Sequence, residues 1–482
     1  MASTKGAFSW LTAGIAAALL LPVLSMTGMF MDGMLYSVVA HNQANGFGSF
    51  WFPRFSQTGL AGLQTFHEHP PLTFGIQAVW FKIFGSAFWV ERAYSVFTAI
   101  ITGTLITFIW RSWTLTRPVE RKLAWFPILL WIIIPTVHWC IHNNMMENTM
   151  GIFTTAAILL VVLSRDRWFA LHVVAGMLVF LASMAKGLPG LFPLAAPLII
   201  AGVLRTGAVR GIVASLVMSV TVATCYALTF LDTNAREALS IHIDQRLLHR
   251  IAEVPTVDHR FATLEMLLTN MAGPLVITVL VIFLARKRTE RSEVVHGSLA
   301  RPALAMALIG ISGVLPLMLT MVQKSFYMAA ALPALAIALA LWSAPRVARL
   351  IGEIRPQALV WVRWSGISIT LISVIVSVIV FGEPHRDKDI LHDVDLIGSN
   401  VPSGALIGVP HNLWNDWNLQ GYLMRFHFIS LDQSEESAYF ITAYSDQPPA
   451  GFIPVDLKTS QYRIWKRVTS ASPQLPAPQP FR

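Results

Sequence analysis

Apolar residues run in long, nearly unbroken stretches through the first 381 positions, then give way to a polar pattern rich in turn residues. Runs long enough, or nearly so, to cross ~30 Å of hydrocarbon fall at about 8–30, 93–110, 123–139, 148–163, 168–185, 188–204, 211–231, 264–285, 302–322, 326–342 and 361–381. They predict about eleven transmembrane helices. The run 72–85 is shorter, contains Gln77 and Lys82, and follows Pro70-Pro71. It predicts a helix lying in the membrane interface, with the prolines setting its start. Residues 31–92 then form an outer, surface-lying or re-entrant segment between the first two spans.

After Phe381 the period shortens, and strand-like stretches fall near 404–409, 426–431, 438–443 and 461–467. The expected organisation is a transmembrane domain over 1–382 and a small α/β or β-rich extracytoplasmic domain over 383–471. A disordered tail over 472–482, with four prolines, closes the chain. No internal repeat, glycine-rich phosphate loop or heptad array is present in the sequence.

Composition agrees with the pattern: 55% hydrophobic residues, 13% charged and a mean hydropathy of +0.58 exclude a soluble globular chain. The first run is too long for a signal-peptide core and reads as a retained span. A net charge of +9 suggests nucleic acid in a soluble protein, but here topology accounts for it. With the N-terminus cytoplasmic, eighteen Lys and Arg fall in inner loops and nine in outer ones, which the positive-inside rule favours. The C-terminal domain is then extracytoplasmic. Cys140 and Cys225 fall at or within spans and predict neither a disulfide framework nor a zinc site.

Ionisable residues gather at the outer ends of these spans, where each needs a partner or water. Asp32 follows the first span directly. A carboxylate there is a water-exposed helix end or, in a partly dry cleft, a general base. His67-Glu68-His69-Pro70-Pro71 comes next: a polar helix entry, a His-x-His pair two ligands into a metal site, or, with Asp32, two acids suited to proton transfer or a divalent ion. The outer turn between spans three and four carries His138, His142, Asn143, Asn144, Glu147 and Asn148, with Glu147 where the helix dipole favours a carboxylate. Outer cations oppose the positive-inside trend: Arg54, Lys82, Arg92, Lys186, Lys324 and the loop 232–260. Lys186-Gly187 and Lys324-Ser325-Phe326-Tyr327 each open a span, a position suited to a lipid phosphate; snorkelling is the alternative, above all for Lys82.

These motifs, in this order over most of 20–343, resemble the GT-C glycosyltransferases related to dolichyl-phosphate-mannose protein mannosyltransferases and bacterial aminoarabinose transferases. Met31-Asp32-Gly33-Met34-Leu35-Tyr36 is similar to the family's acidic motif, and His67-Glu68-His69-Pro70-Pro71 to its Glu-Lys-Pro-Pro stretch. Phe81-Lys82-Ile83-Phe84-Gly85 resembles the end of its interfacial helix. Glu91-Arg92-Ala93, Lys186-Gly187 and Lys324 to Pro333 resemble its arginine-bearing span start, its Lys-Gly and its Lys-x-x-Tyr…Leu-Pro segment. Gly33 stands where the family often has a second acid, and His69 where it has a lysine.

The resemblance implies inverting transfer of a sugar from a polyprenyl-phosphate donor to a lipid, glycan or protein acceptor at the outer membrane face. Asp32 would be the base; Glu68 and Glu147 would orient the acceptor or a metal; Arg92, Lys186, Lys324 and Tyr327 would hold the donor phosphate. His67, His69, His142 and Asn143 stand open between acceptor and metal contacts, and no cofactor beyond an optional divalent ion is implied. The competing class is a polytopic transporter or flippase for a lipid-linked or anionic substrate. Against it, the charges collect on one face rather than at mid-bilayer, and no related inverted halves are evident.

Overall fold

The computed structural model describes residues 6–59, 64–164, 169–244, 255–286 and 299–468. Lys5, Arg165, Arg167, Arg246, Arg250, Lys287, Arg288, Arg291 and the proline-rich stretch 472–482 lie outside the described residues. Two compact units are formed, one from 1–24 with 95–381 and the other from 25–94 with 382–482. The segment that carries Asp32 and the His-Glu-His run therefore packs with the C-terminal residues, whereas the sequence pattern groups it with the spans.

Among the described residues nine helices are long and apolar enough to cross a membrane. They are Ala7–Leu24, Val90–Trp113, Met146–Ser164, Phe169–Lys186, Ala208–Thr229, Ala262–Arg286, Ala300–Leu319, Ser325–Gly352 and Pro356–Ile379. The expected third span is broken: Trp125–Ile132 and Pro135–His142 meet at a bend of 75°. The cause is local. Pro135 cannot donate to the ladder and pushes Ile134 into an extended conformation (φ −68°, ψ 122°). The Thr136 amide, left without an intrahelical acceptor, donates to Asn270 Oδ1 at 2.9 Å, the kind of neighbouring-helix repair that lets proline sit at membrane depth.

The expected sixth span, Leu188–Leu204, is one residue short of the eighteen-residue length used for the others. Its first half, Leu188–Ala195, is a 3-10 helix with prolines at 189 and 193. Because such a helix rises ~2 Å per residue rather than ~1.5 Å, this element still reaches about 30 Å. All eleven apolar runs thus fold as helices, and the chain is a multi-pass membrane protein. Small residues set its tightest packing: a Cβ at Gly14 of helix Ala7–Leu24 would come within 2.5 Å of the Gly366 carbonyl on Pro356–Ile379, so the two backbones touch.

The second unit holds helices Met31–Ala44, Leu72–Phe84, Lys388–Asn400 and Trp417–His427 with a five-stranded sheet. The expected interfacial run is Leu72–Phe84, thirteen residues and so about 20 Å, closed by Gly85 at φ +82°. The strands are β1 (Leu406–Gly408), β2 (Ser430–Asp432), β3 (Tyr439–Ala443), β4 (Phe452–Pro454) and β5 (Tyr462–Arg467), ordered β2-β1-β3-β5-β4. Two registers define it, Ile407 opposite Leu431 in the parallel β1–β2 pair and Ile441 opposite Ile464 in the antiparallel β3–β5 pair. Trp417–His427 is the crossover that a parallel β1–β2 pair requires, which makes the domain α/β. The buried Asp393 carboxylate accepts the amides of Ser460, Gln461 and Tyr462 at 2.6, 2.7 and 2.9 Å, tying helix Lys388–Asn400 to the start of β5.

Candidate active site

Asp32 lies half-buried in the first turn of Met31–Ala44. Phe30 is extended (φ −58°, ψ 143°), so the helix begins immediately before the acid and its dipole favours the carboxylate. Tyr36, one turn on, shares the face of Asp32. Its hydroxyl lies 3.1 Å from His69 Nε2, and the two rings meet edge to face. The helix that presents Asp32 is thereby fastened to the residue that follows Glu68. His67 and His69 are both buried but engage different neighbours, His67 meeting the Phe52 ring edge-on at 5.8 Å. Glu68 between them is half-buried.

The approach to Asp32 is braced from two sides within this unit. Arg92, buried in the first turn of Val90–Trp113, donates through Nη2 to the Gly28 carbonyl. Gly28 adopts φ +81°, and a Cβ there would meet the Arg386 carbonyl at 2.5 Å, so no other residue fits. On the other side the Tyr422 hydroxyl accepts the Met29 amide at 3.0 Å and donates to Asp387 Oδ2 at 2.7 Å. Burial pushes this hydroxyl above the ordinary tyrosine range, which keeps the proton that it donates. Three residues further along Trp417–His427, the fully buried Arg425 clasps Glu91 through Nε and Nη2 (3.2 and 2.8 Å) and donates to the Ser86 and Ala87 carbonyls. Burial, with Arg425 nearby, drives His41 down to about 3, so it accepts or donates as a neutral ring to Ser86 Oγ at 2.8 Å.

In the first unit, Glu147 opens Met146–Ser164 and Lys186 ends Phe169–Lys186. Their side chains are 0% and 3% exposed and form an ion pair between Nζ and Oε1. The Lys186 ammonium also lies 5.3 Å from the centroids of both Phe326 and Tyr327, and Phe326 stacks on Trp139. The structure therefore brings Glu147, Lys186 and Tyr327 together. A water-sized cavity of about 20 Å³ adjoins them, lined by Glu147, Thr98, Thr102, Cys140 and Asn148 among others. Lys324 is exposed, at the start of the 3-10 turn Ser325–Ala331. His142 bonds the Leu19 carbonyl at 2.7 Å, and Asn143 donates to its own turn at Trp139.

Among the described residues no three His, Cys, Asp or Glu side chains are grouped to hold a metal ion. Sequence reasoning missed Tyr36, Tyr422 and Arg425. Tyr36 was legible as the residue one turn after Asp32; the other two are set apart only by tertiary contacts.

No protein-family profile matches the sequence, and no curated protein matches it. Solved structures do match. The aminoarabinose transferase ArnT from Cupriavidus metallidurans, solved with undecaprenyl phosphate, aligns over 96% of this chain and 98% of its own at TM-score 0.65 and 16% identity. Its apo state aligns over 97% and 99% at 0.65 and 15%. An Archaeoglobus fulgidus oligosaccharyltransferase aligns over 94% of this chain and 72% of its own at 0.47 and 12%. The chain thus has the fold of ArnT over 96% of its length.

Proposed function

We propose that the protein is a glycosyltransferase that moves a sugar from a polyprenyl-phosphate donor to a hydroxyl-bearing acceptor at the outer face of the membrane. The observation that carries this reading is the likeness over 96% of the chain to ArnT, whose structure holds undecaprenyl phosphate. Asp32, half-buried at a helix start, is the base. It takes the proton of the acceptor hydroxyl as that oxygen bonds the anomeric carbon, and the bond from that carbon to the phosphate oxygen breaks, leaving the electron pair on the lipid phosphate. A single displacement inverts the anomeric centre. The donor is already activated, so proton removal, contributing ~10²–10⁴-fold, and charge stabilisation of the departing phosphate suffice.

Arg92, Lys186, Lys324 and Tyr327 are the donor-phosphate group. Glu147, as the buried partner of Lys186, sets that ammonium's position. Glu68, His67, His69, His142 and Asn143 are left for the acceptor. The N-terminus is cytoplasmic and the C-terminal domain extracytoplasmic, as the loop charges favour.

Two measurements test this. Mass spectrometry of lipid co-purifying with the protein should find a polyprenyl phosphate or its sugar adduct. Asp32→Asn should stay folded yet lose transfer by ~10²-fold or more. Near-normal turnover in that variant with donor and acceptor supplied would exclude Asp32 as the base.

A further inference from the structure

The second unit contains a cavity that the transfer reading does not use. Its volume is about 560 Å³, within the ~300–1,000 Å³ of small-molecule sites. Thr27, Phe88, Gly382, Pro384 and Leu391 line it together with Lys388, His392, Asp395, Phe426 and His427. None of the residues assigned above to donor or acceptor lines it. Lys388, Leu391, His392 and Asp395 follow the period of helix Lys388–Asn400 and so share one face.

Two of the polar groups make no side-chain hydrogen bond. Among the described residues the Lys388 ammonium has no hydrogen bond or ion pair, though its backbone belongs to the helix. His427 Nε2 is buried without a hydrogen-bond partner, the nearest carboxylate oxygen, Asp395 Oδ1, standing at 3.7 Å. The His427 ring is held in place, because it packs so tightly on Gly398 that a Cβ there would come within 2.2 Å of it. His392 uses Nε2 on the Lys458 carbonyl at 3.3 Å. One carboxylate, 75% exposed, faces an ammonium and two imidazoles, a set of donors suited to an anion.

Chain connectivity says what kind of anion. Thr27, Phe88 and Gly382 each lie within three residues of a span end, at Leu24, Val90 and Ile379. Apolar side chains exposed beside them, Ile83, Phe84, Trp89 and Phe381, are the kind that anchor at a membrane–water boundary. Three lining residues are thus tethered within a few positions of a membrane-crossing helix, close in the chain to where lipid headgroups lie.

We propose that this cavity is a binding site for the phosphate headgroup of an anionic membrane lipid, held by Lys388 and His427. The full-length protein would be placed in phosphatidylcholine nanodiscs containing a minor fraction of phosphatidylglycerol, and retained lipid measured by native mass spectrometry. Lys388→Gln with His427→Gln should lower retained phosphatidylglycerol roughly tenfold, while Lys388→Arg retains it. Matching melting temperatures confirm that the double variant is folded. Equal retention in wild type and the double variant overturns the proposal. Loss of the phosphatidylglycerol signal on adding equimolar inorganic phosphate overturns the lipid assignment, since a free anion would then suffice. Neither readout depends on sugar transfer, so the site stands or falls apart from the catalytic reading.

Discussion

The hydroxyl of Tyr36 lies 3.1 Å from Nε2 of His69, and both side chains are buried. One residue sits a turn after Asp32 and the other directly after Glu68, so this single bond sets the two acidic motifs of the second unit against each other. A bond of this kind contributes about 0.5–1.5 kcal/mol net, and leaving a buried ring nitrogen without its partner costs about 1–3 kcal/mol.

Tyr36→Phe should therefore lower turnover by about three- to thirtyfold through misplacement of one motif relative to the other, with donor KM little changed. Steady-state transfer kinetics on the purified variant measure both quantities. An unchanged kcat would mean that the two motifs keep their geometry without this bond.

The buried pair of Glu147 and Lys186 makes a different prediction. Removing one partner from such a pair strands a charge at a cost of about 3–5 kcal/mol, whereas replacing both is close to neutral. Glu147→Gln and Lys186→Met should each lower the melting temperature in detergent markedly, and the double variant should recover most of the loss. Transfer should stay absent in the double variant if Lys186 also holds phosphate. Additive destabilisation would show that the pair contributes no coupling.

Much of this was legible in the sequence because membrane burial imposes a blunt pattern: every apolar run predicted as a span folds as a helix, and Leu72–Phe84 is the short helix its length demanded. What the pattern hid is local or long-range. Pro135 breaks the third span, yet a proline inside an apolar run does not by itself announce a 75° bend. The stretch 426–431 was read as strand, but the helix runs to His427 and Phe428 caps it in the left-handed region, leaving Ser430–Asp432 for β2. β4, three residues with a proline, has too little period to see. Tyr422 and Arg425 act nearly four hundred residues from Met29 and over three hundred from Glu91, a separation no local pattern encodes.

That long-range brace is testable through Tyr422. The hydroxyl accepts the Met29 amide and donates to Asp387, so Tyr422→Phe removes a support three residues before Asp32 while keeping the ring. It should cost about 1–3 kcal/mol of stability and reduce kcat more than it changes donor KM. A purely structural role would lower the melting temperature and leave the kcat of the surviving folded protein intact, and that outcome would deny Tyr422 a positioning role.

Topology is the last prediction, and everything placed at the outer face depends on it. Eighteen inner against nine outer Lys and Arg set the orientation, and eleven helical runs carry the chain to the opposite side by its C-terminal domain. Ser403, exposed between helix Lys388–Asn400 and β1, and Thr206, exposed after helix Ala196–Leu204, should then lie on opposite sides. In a background with Cys140 and Cys225 replaced by serine, a cysteine at 403 should react with a membrane-impermeant maleimide in intact cells, and one at 206 should react only after permeabilisation. The opposite labelling would invert the chain and move Asp32 to the cytoplasmic face. Labelling of both positions in intact cells would mean an even number of crossings between them, and would exclude one of the helices Ala208–Thr229, Ala262–Arg286, Ala300–Leu319, Ser325–Gly352 and Pro356–Ile379 as a full span.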